Sequence, residues 1–86
     1  MSQSFPNSGP AEIPLDQLRA GQAGKILRVE GDPSIARRLM ELGLVPGTRV
    51  EVLRRAPLGD PLELSVRGVH LSLRRSEALR IHVSLD

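Results

Sequence analysis

From Leu62 to Leu73 apolar and polar residues alternate, interrupted only at Arg67-Gly68. Leu62, Leu64 and Val66 are set against Glu63 and Ser65, and Val69, Leu71 and Leu73 against His70 and Ser72. Side chains on a strand point to opposite faces with period two, so each half reads as a strand with one buried face. The two residues between Val66 and Val69 suit a tight hairpin turn. A chain containing this segment must collect its apolar groups on one side of an antiparallel sheet. The same texture recurs after the Pro46-Gly47 turn, where Val50 and Val52 alternate with Arg49 and Glu51. It returns in Ile81, Val83 and Leu85, which alternate with His82 and Ser84. Lys25-Ile26-Leu27-Arg28-Val29 is the earliest of five predicted strands, and its apolar positions 26, 27 and 29 break the alternation in the way a bulge does.

Helical signals are few. Asp32-Pro33 is a start, because Asp accepts from the orphan amides of a first turn while Pro loses no needed donor there. Gly43 is a stop, and Ile35, Leu39 and Leu42 fall within one narrow stripe at about 100° per residue. Leu15 and Leu18 suit a single turn ended by Gly21, and Ala56-Pro57-Leu58-Gly59-Asp60-Pro61 is a loop. Parallel strands need crossovers of a dozen residues or more, which these connections do not supply. The expected fold is therefore mostly β: a small five-stranded antiparallel barrel with one short helix between its first two strands. Residues 1–13, rich in Pro, Ser and turn formers, are expected to be a disordered tail, and residues 14–86 the domain.

Composition narrows the function. The chain has no Cys, Trp or Tyr and a single Phe, so disulfides, thiolate chemistry and aromatic stacking platforms are excluded together. Aromatic-lined grooves for Pro-rich peptides fall with them. The sequence pI of about 10.4 suggests a nucleic-acid binder. However, eleven of the twelve basic residues are Arg, which stay charged past pH 12, and the net charge at pH 7 is only +2. The paired arginines 37-38, 54-55 and 74-75 are diluted by ten acids, and neighbours on a strand face opposite sides. No run approaches the roughly 18 to 20 apolar residues of a membrane span, and the N-terminus lacks a signal-peptide pattern, so a cytoplasmic protein is expected. The glycines lack phosphate-loop spacing, and no nucleophile elbow or oriented base surrounds any Ser or His. No enzyme is expected, and no cofactor is required.

Three segments carry a resemblance: Arg38-Leu39-Met40-Glu41-Leu42-Gly43-Leu44-Val45-Pro46-Gly47, Ala56-Pro57-Leu58-Gly59-Asp60-Pro61 and Leu73-Arg74-Arg75-Ser76-Glu77-Ala78. In order and spacing the chain resembles the FeoA family of bacterial ferrous iron transport proteins from about Leu15 to Val83. The resemblance implies an SH3-like barrel that acts beside FeoB, the membrane iron transporter with a cytosolic GTPase domain. The same family supplies the C-terminal module of some iron-dependent repressors, which leaves a nucleic-acid-binding or metal-dependent repressor-type barrel as the alternative. Through FeoB the protein would sit at the inner face of the membrane without entering it.

Two candidate surfaces follow. With the stripe turned inward, Met40 falls on a second, exposed apolar spot flanked by Arg37 and Glu41. With Leu44 and the loop residues Leu58, Gly59 and Asp60, these form the expected partner-binding set. Asp60, between Gly59 and Pro61, also suits a bond to its own turn. His70 and His82 alternate with buried neighbours and are expected to face outward. Either could hold Zn(II) or Fe(II) weakly with a carboxylate of a second molecule, giving a monomer or a metal-bridged dimer.

Overall fold

The computed structural model describes residues 12–86. Six strands form one antiparallel sheet in the order β1-β6-β2-β3-β4-β5: β1 Glu12–Pro14, β2 Ala23–Val29, β3 Arg49–Arg55, β4 Leu62–Val66, β5 Val69–Leu73 and β6 Ile81–Leu85. Helix α1, Pro33–Glu41, joins β2 to β3, and the short α2, Arg75–Ala78, joins β5 to β6. A 3-10 turn over Leu15–Gln17 follows β1.

This corrects the expected five-stranded closed SH3-like barrel: the sheet has six strands and is open, because β1 and β5 lie at its two ends and do not pair with each other. The sixth strand is β1, which pairs Glu12 with Ser84, Ile13 with Val83 and Pro14 with His82. Three residues are too few to display an alternation, and Pro14 reads as a breaker, although an edge strand tolerates a residue without an N–H. That same shortness works against closure, since a three-residue edge offers almost no outward donors to a further neighbour. Glu12 and Ile13 thus belong to the sheet, and the rest of the expected tail lies outside the described residues.

Curvature comes instead from irregularities inside the long strands. β2 pairs with β3 through Ala23–Lys25 and with β6 through Gly24–Val29, with a register shift between Ile26 and Arg28 where the sequence broke its alternation. A second shift lies between Val52 and Arg54, where β3 meets β4. At β2 the backbone runs very close to β6: a Cβ on Gly24 would stand 2.7 Å from the Ser84 carbonyl oxygen. Only glycine fits there. The predicted hairpin is present, with Arg67 (φ 54°) and Gly68 (φ 78°) at its tip and Val66 opposite Val69.

The core is aliphatic, built from inward residues of β2, β3, β4 and β6 and Leu73 of β5, together with Leu15, Leu18, Leu39, Leu44 and Ala78. Each fully buried Leu contributes about 1.5–3 kcal/mol relative to an exposed one, so this layer supplies the main driving force. Arg55 secures the turn after β1 by donating from Nη1 to the carbonyls of Asp16 (2.8 Å) and Leu18 (2.6 Å).

Candidate functional site

α1 begins where the sequence predicts. Asp32 Oδ1 accepts from the backbone N–H of Ser34 and of Ile35, both at 3.0 Å, and from the Ser34 hydroxyl at 2.7 Å, with Pro33 in the first turn. The Ser34 hydroxyl first, and then the Ile35 amide, hold the Asp32 carboxyl below its ordinary value. At the other end Gly43 takes φ 101° and the Leu44 N–H donates back to the Leu39 carbonyl at 3.2 Å. That reversal turns Leu44 into the core.

The consequence differs from the expected stripe. Leu39 and Leu44 are fully buried, Ile35 is half-buried, and Leu42, in the C-terminal cap, is 40% exposed. An ideal 100° step places Leu42 inward, and as the C-cap Leu42 still follows the helical path, its N–H donating to the Arg38 carbonyl at 3.3 Å; it is the reversal at Gly43 that sends Leu44, not Leu42, into the core. Leu44 is therefore corrected from a surface contact to a core anchor, and Leu42 joins Met40, 39% exposed, on the outside. Arg37 and Glu41 flank them in solvent.

The Ala56–Pro61 loop is closed by two backbone bonds, Gly59 N–H to the Ala56 carbonyl at 2.7 Å and Ala56 N–H to the Pro61 carbonyl at 3.1 Å. Gly59, at φ 81°, permits the turn, and Leu58 at its tip is 92% exposed. Asp60 does not bond its own turn: its Oδ1 accepts from the Arg75 N–H at 3.0 Å, which ties the loop to α2. α2 is tied in turn to α1 by the Arg38–Glu77 ion pair, while Glu77 Oε1 also accepts from the Arg74 N–H at 3.0 Å. Arg38, Asp60, Pro61, Ser72, Arg74 and Glu77 line one depression between helix and loop. The structure thus brings the two predicted segments to a shared end of the molecule through Arg38 and Glu77, which the sequence reading named separately and did not pair. Nothing local announces that pair.

The two histidines do not meet. β2, β3 and β4 lie between β6, which carries His82, and β5, which carries His70. His70 is exposed as expected, but His82 is mostly covered: its Nε2 stands 3.1 Å from Glu30 Oε1 and its Nδ1 3.7 Å from Glu12 Oε2. Arg28 Nη2 reaches Glu12 at 2.5 Å and Arg28 Nε reaches Glu30 at 3.0 Å. The hydrogen bond from Arg28 is the main cause that holds both carboxyls below their ordinary value, with His82 adding to it. Among the described residues no group of three or more His, Cys, Asp or Glu side chains is arranged to hold a metal ion.

Comparison with known proteins gives consistent likenesses. Residues 13–85 match the family described as FeoA domain. A Porphyromonas gingivalis protein named as a fusion of Fe(2+) transport protein A with the Fe(2+) transporter FeoB is 38% identical over 71 residues, which is 83% of this chain. The chain spans only 8% of that fusion's length. The solution structure of FeoA from Chlorobium tepidum superposes with TM-score 0.79 at 45% identity, over 85% of this chain and 70% of that one. A Stenotrophomonas maltophilia FeoA, solved as a complex with zinc, superposes with TM-score 0.69 at 34% identity, over 84% and 87% of the two chains.

Proposed function

The chain belongs to the FeoA family, and from that premise we propose that it is a non-enzymatic accessory protein of ferrous iron uptake that binds the cytosolic GTPase domain of FeoB. The observation that carries the docking surface is the pairing of exposed aliphatic groups with a rigid mount: Met40 and Leu42 on α1, and Leu58 on a loop held by Asp60 and Arg75. Removing such side chains from water yields about 25 cal/mol per Å², and methionine adapts to the shape it meets. Arg37, Glu41 and Asp60 would supply the polar rim, Gly59 the turn that presents Leu58, and Leu44 the buried support.

The sheet that begins at Glu12 and the rest of the chain to residue 86 act in this reading as one unit at the cytoplasmic face of the inner membrane, where FeoB would hold it. Among the described residues no helix is long and apolar enough to cross a membrane. No resident metal is required. A zinc or ferrous ion would be met between molecules, since neither His70, nor His82 with Glu30, has a complete ligand set among the described residues.

The test is an NMR titration of the labelled chain with the FeoB cytosolic domain. Shifts should cluster on residues 36–44 and 56–61, persist as salt is raised, and weaken by roughly ten-fold in affinity or more in Met40→Glu with Leu58→Glu. Shifts confined to the β1–β6–β2 flank, or unchanged affinity in a folded double variant, would reject this surface.

A further inference from the structure

The sheet ends in two unlike edges. β1 is three residues long and contains Glu12 and Pro14. A charge and a residue without an N–H both keep an edge from pairing. β5, at the far end, is Val69-His70-Leu71-Ser72-Leu73, with no Lys, Arg, Asp, Glu or Pro and no break in its register with β4.

The direction of the free groups follows from the hairpin. Val66 and Val69 flank a two-residue turn, so they exchange both ladder bonds, and bonding alternates from there along the pair. Leu71 and Leu73 likewise bond back to β4. The N–H and C=O of His70 and Ser72 point away from it, on a side where no other strand lies among the described residues. The edge is accessible: His70 and Ser72 are exposed and Val69 is 56% exposed.

We propose that β5 is a pairing edge and that its occupant is β5 of a second copy of this chain, antiparallel about a two-fold axis through Leu71. This register sets His70 opposite Ser72 of the second copy, and each such pair exchanges both bonds, so every outward group on the two strands is used. On the core side Leu71 meets its own counterpart and Val69 is covered by Leu73 of the second copy. On the outer side no charge meets a like charge. The strand is its own complement in hydrogen bonding and in face, and that favours a second copy over an unrelated segment. The strip covered is narrow beside the roughly 1,200 Å² of stable complexes, so the pair is reversible and forms at high concentration.

The absence of native Cys makes a direct test available. Opposed residues at a non-hydrogen-bonded position lie about 4.5 Å apart at Cα, within disulfide reach. Leu71 opposes itself in this register and Val69 does not. In EDTA, which removes any metal bridge, Leu71→Cys should oxidise to a covalent dimer and Val69→Cys roughly ten-fold more slowly or worse. Sedimentation of the unaltered chain should show a dimer that grows with concentration. His70→Pro, which deletes an outward N–H and leaves the ladder with β4 intact, should remove it while the circular dichroism stays unchanged. Equal crosslinking of the two Cys variants, a monomer at every concentration, or undiminished pairing in His70→Pro would each overturn the proposal.

Discussion

The α1 end and the β1–β6–β2 flank are both surfaces, yet they are finished differently. On the flank Glu12, Arg28, Glu30 and His82 face one another, so the charges are largely answered within the chain. At the α1 end Met40, Leu42 and Leu58 stand in water over a scaffold fixed by Asp32, Gly43 and the Asp60–Arg75 bond. The flank has spent its interactions internally; the α1 end has been made rigid and left incomplete. A surface of the second kind is where a partner gains most, because little ordering remains to be done on binding.

The largest test of this contrast is Leu44→Ala. If α1 is mounted through buried anchors and only its outer face is free, losing that anchor should cost about 2–5 kcal/mol in denaturant unfolding, whereas Met40→Glu should leave the transition close to wild type. Comparable losses from the two would erase the distinction. Next comes Gly24→Ala, which drives a Cβ against the Ser84 carbonyl. It should cost about 1–3 kcal/mol and show in amide shifts of β2 and β6 while α1 stays unmoved. The smallest effect is that of acid. Glu12 and Glu30 have folded pKa values below their ordinary ones. Their contribution is therefore complete at neutral pH and is lost as pH falls through and below the usual carboxylate range of about 4. Amide exchange at Ile13 and His82 should quicken there. Asp32 is held low as well, so α1 frays in acid too, but raised salt should loosen only the flank, since the α1 cap is a hydrogen bond to backbone.

What could be read from the sequence was local chemistry. Asp32-Pro33 and Gly43 bounded α1, Arg67-Gly68 fixed a hairpin and its register, and positions 26, 27 and 29 marked the irregular place in β2. Three matters escaped because they are decided between distant residues. β1 is a strand only because β6 lies beside it, so its three residues looked like the end of a tail. Openness depends on whether β1 and β5 meet, and alternation within a strand is silent on that. The exchange of Leu42 for Leu44 depends on how the chain after the Gly43 reversal packs against the sheet, and helical periodicity is silent on that. At the candidate site, Met40 and Leu58 were visible as apolar residues with no place in a stripe or strand. The Arg38–Glu77 and Asp60–Arg75 ties behind them leave no mark in spacing.

The sheet order also governs when the molecule can assemble. β2 to β5 are neighbours in sequence and can zip up as a meander as each strand is made. β6, the last in sequence of the described strands, takes a place between β1 and β2. Until Ile81–Leu85 arrive, β1 has nothing to pair with, the edge of β2 is bare, and the core lacks Ile81 and Val83. Completion of this sheet is thus deferred until its last strand has been synthesised, and the contact that joins Glu12 to Ser84 is among the longest in sequence that the described residues make.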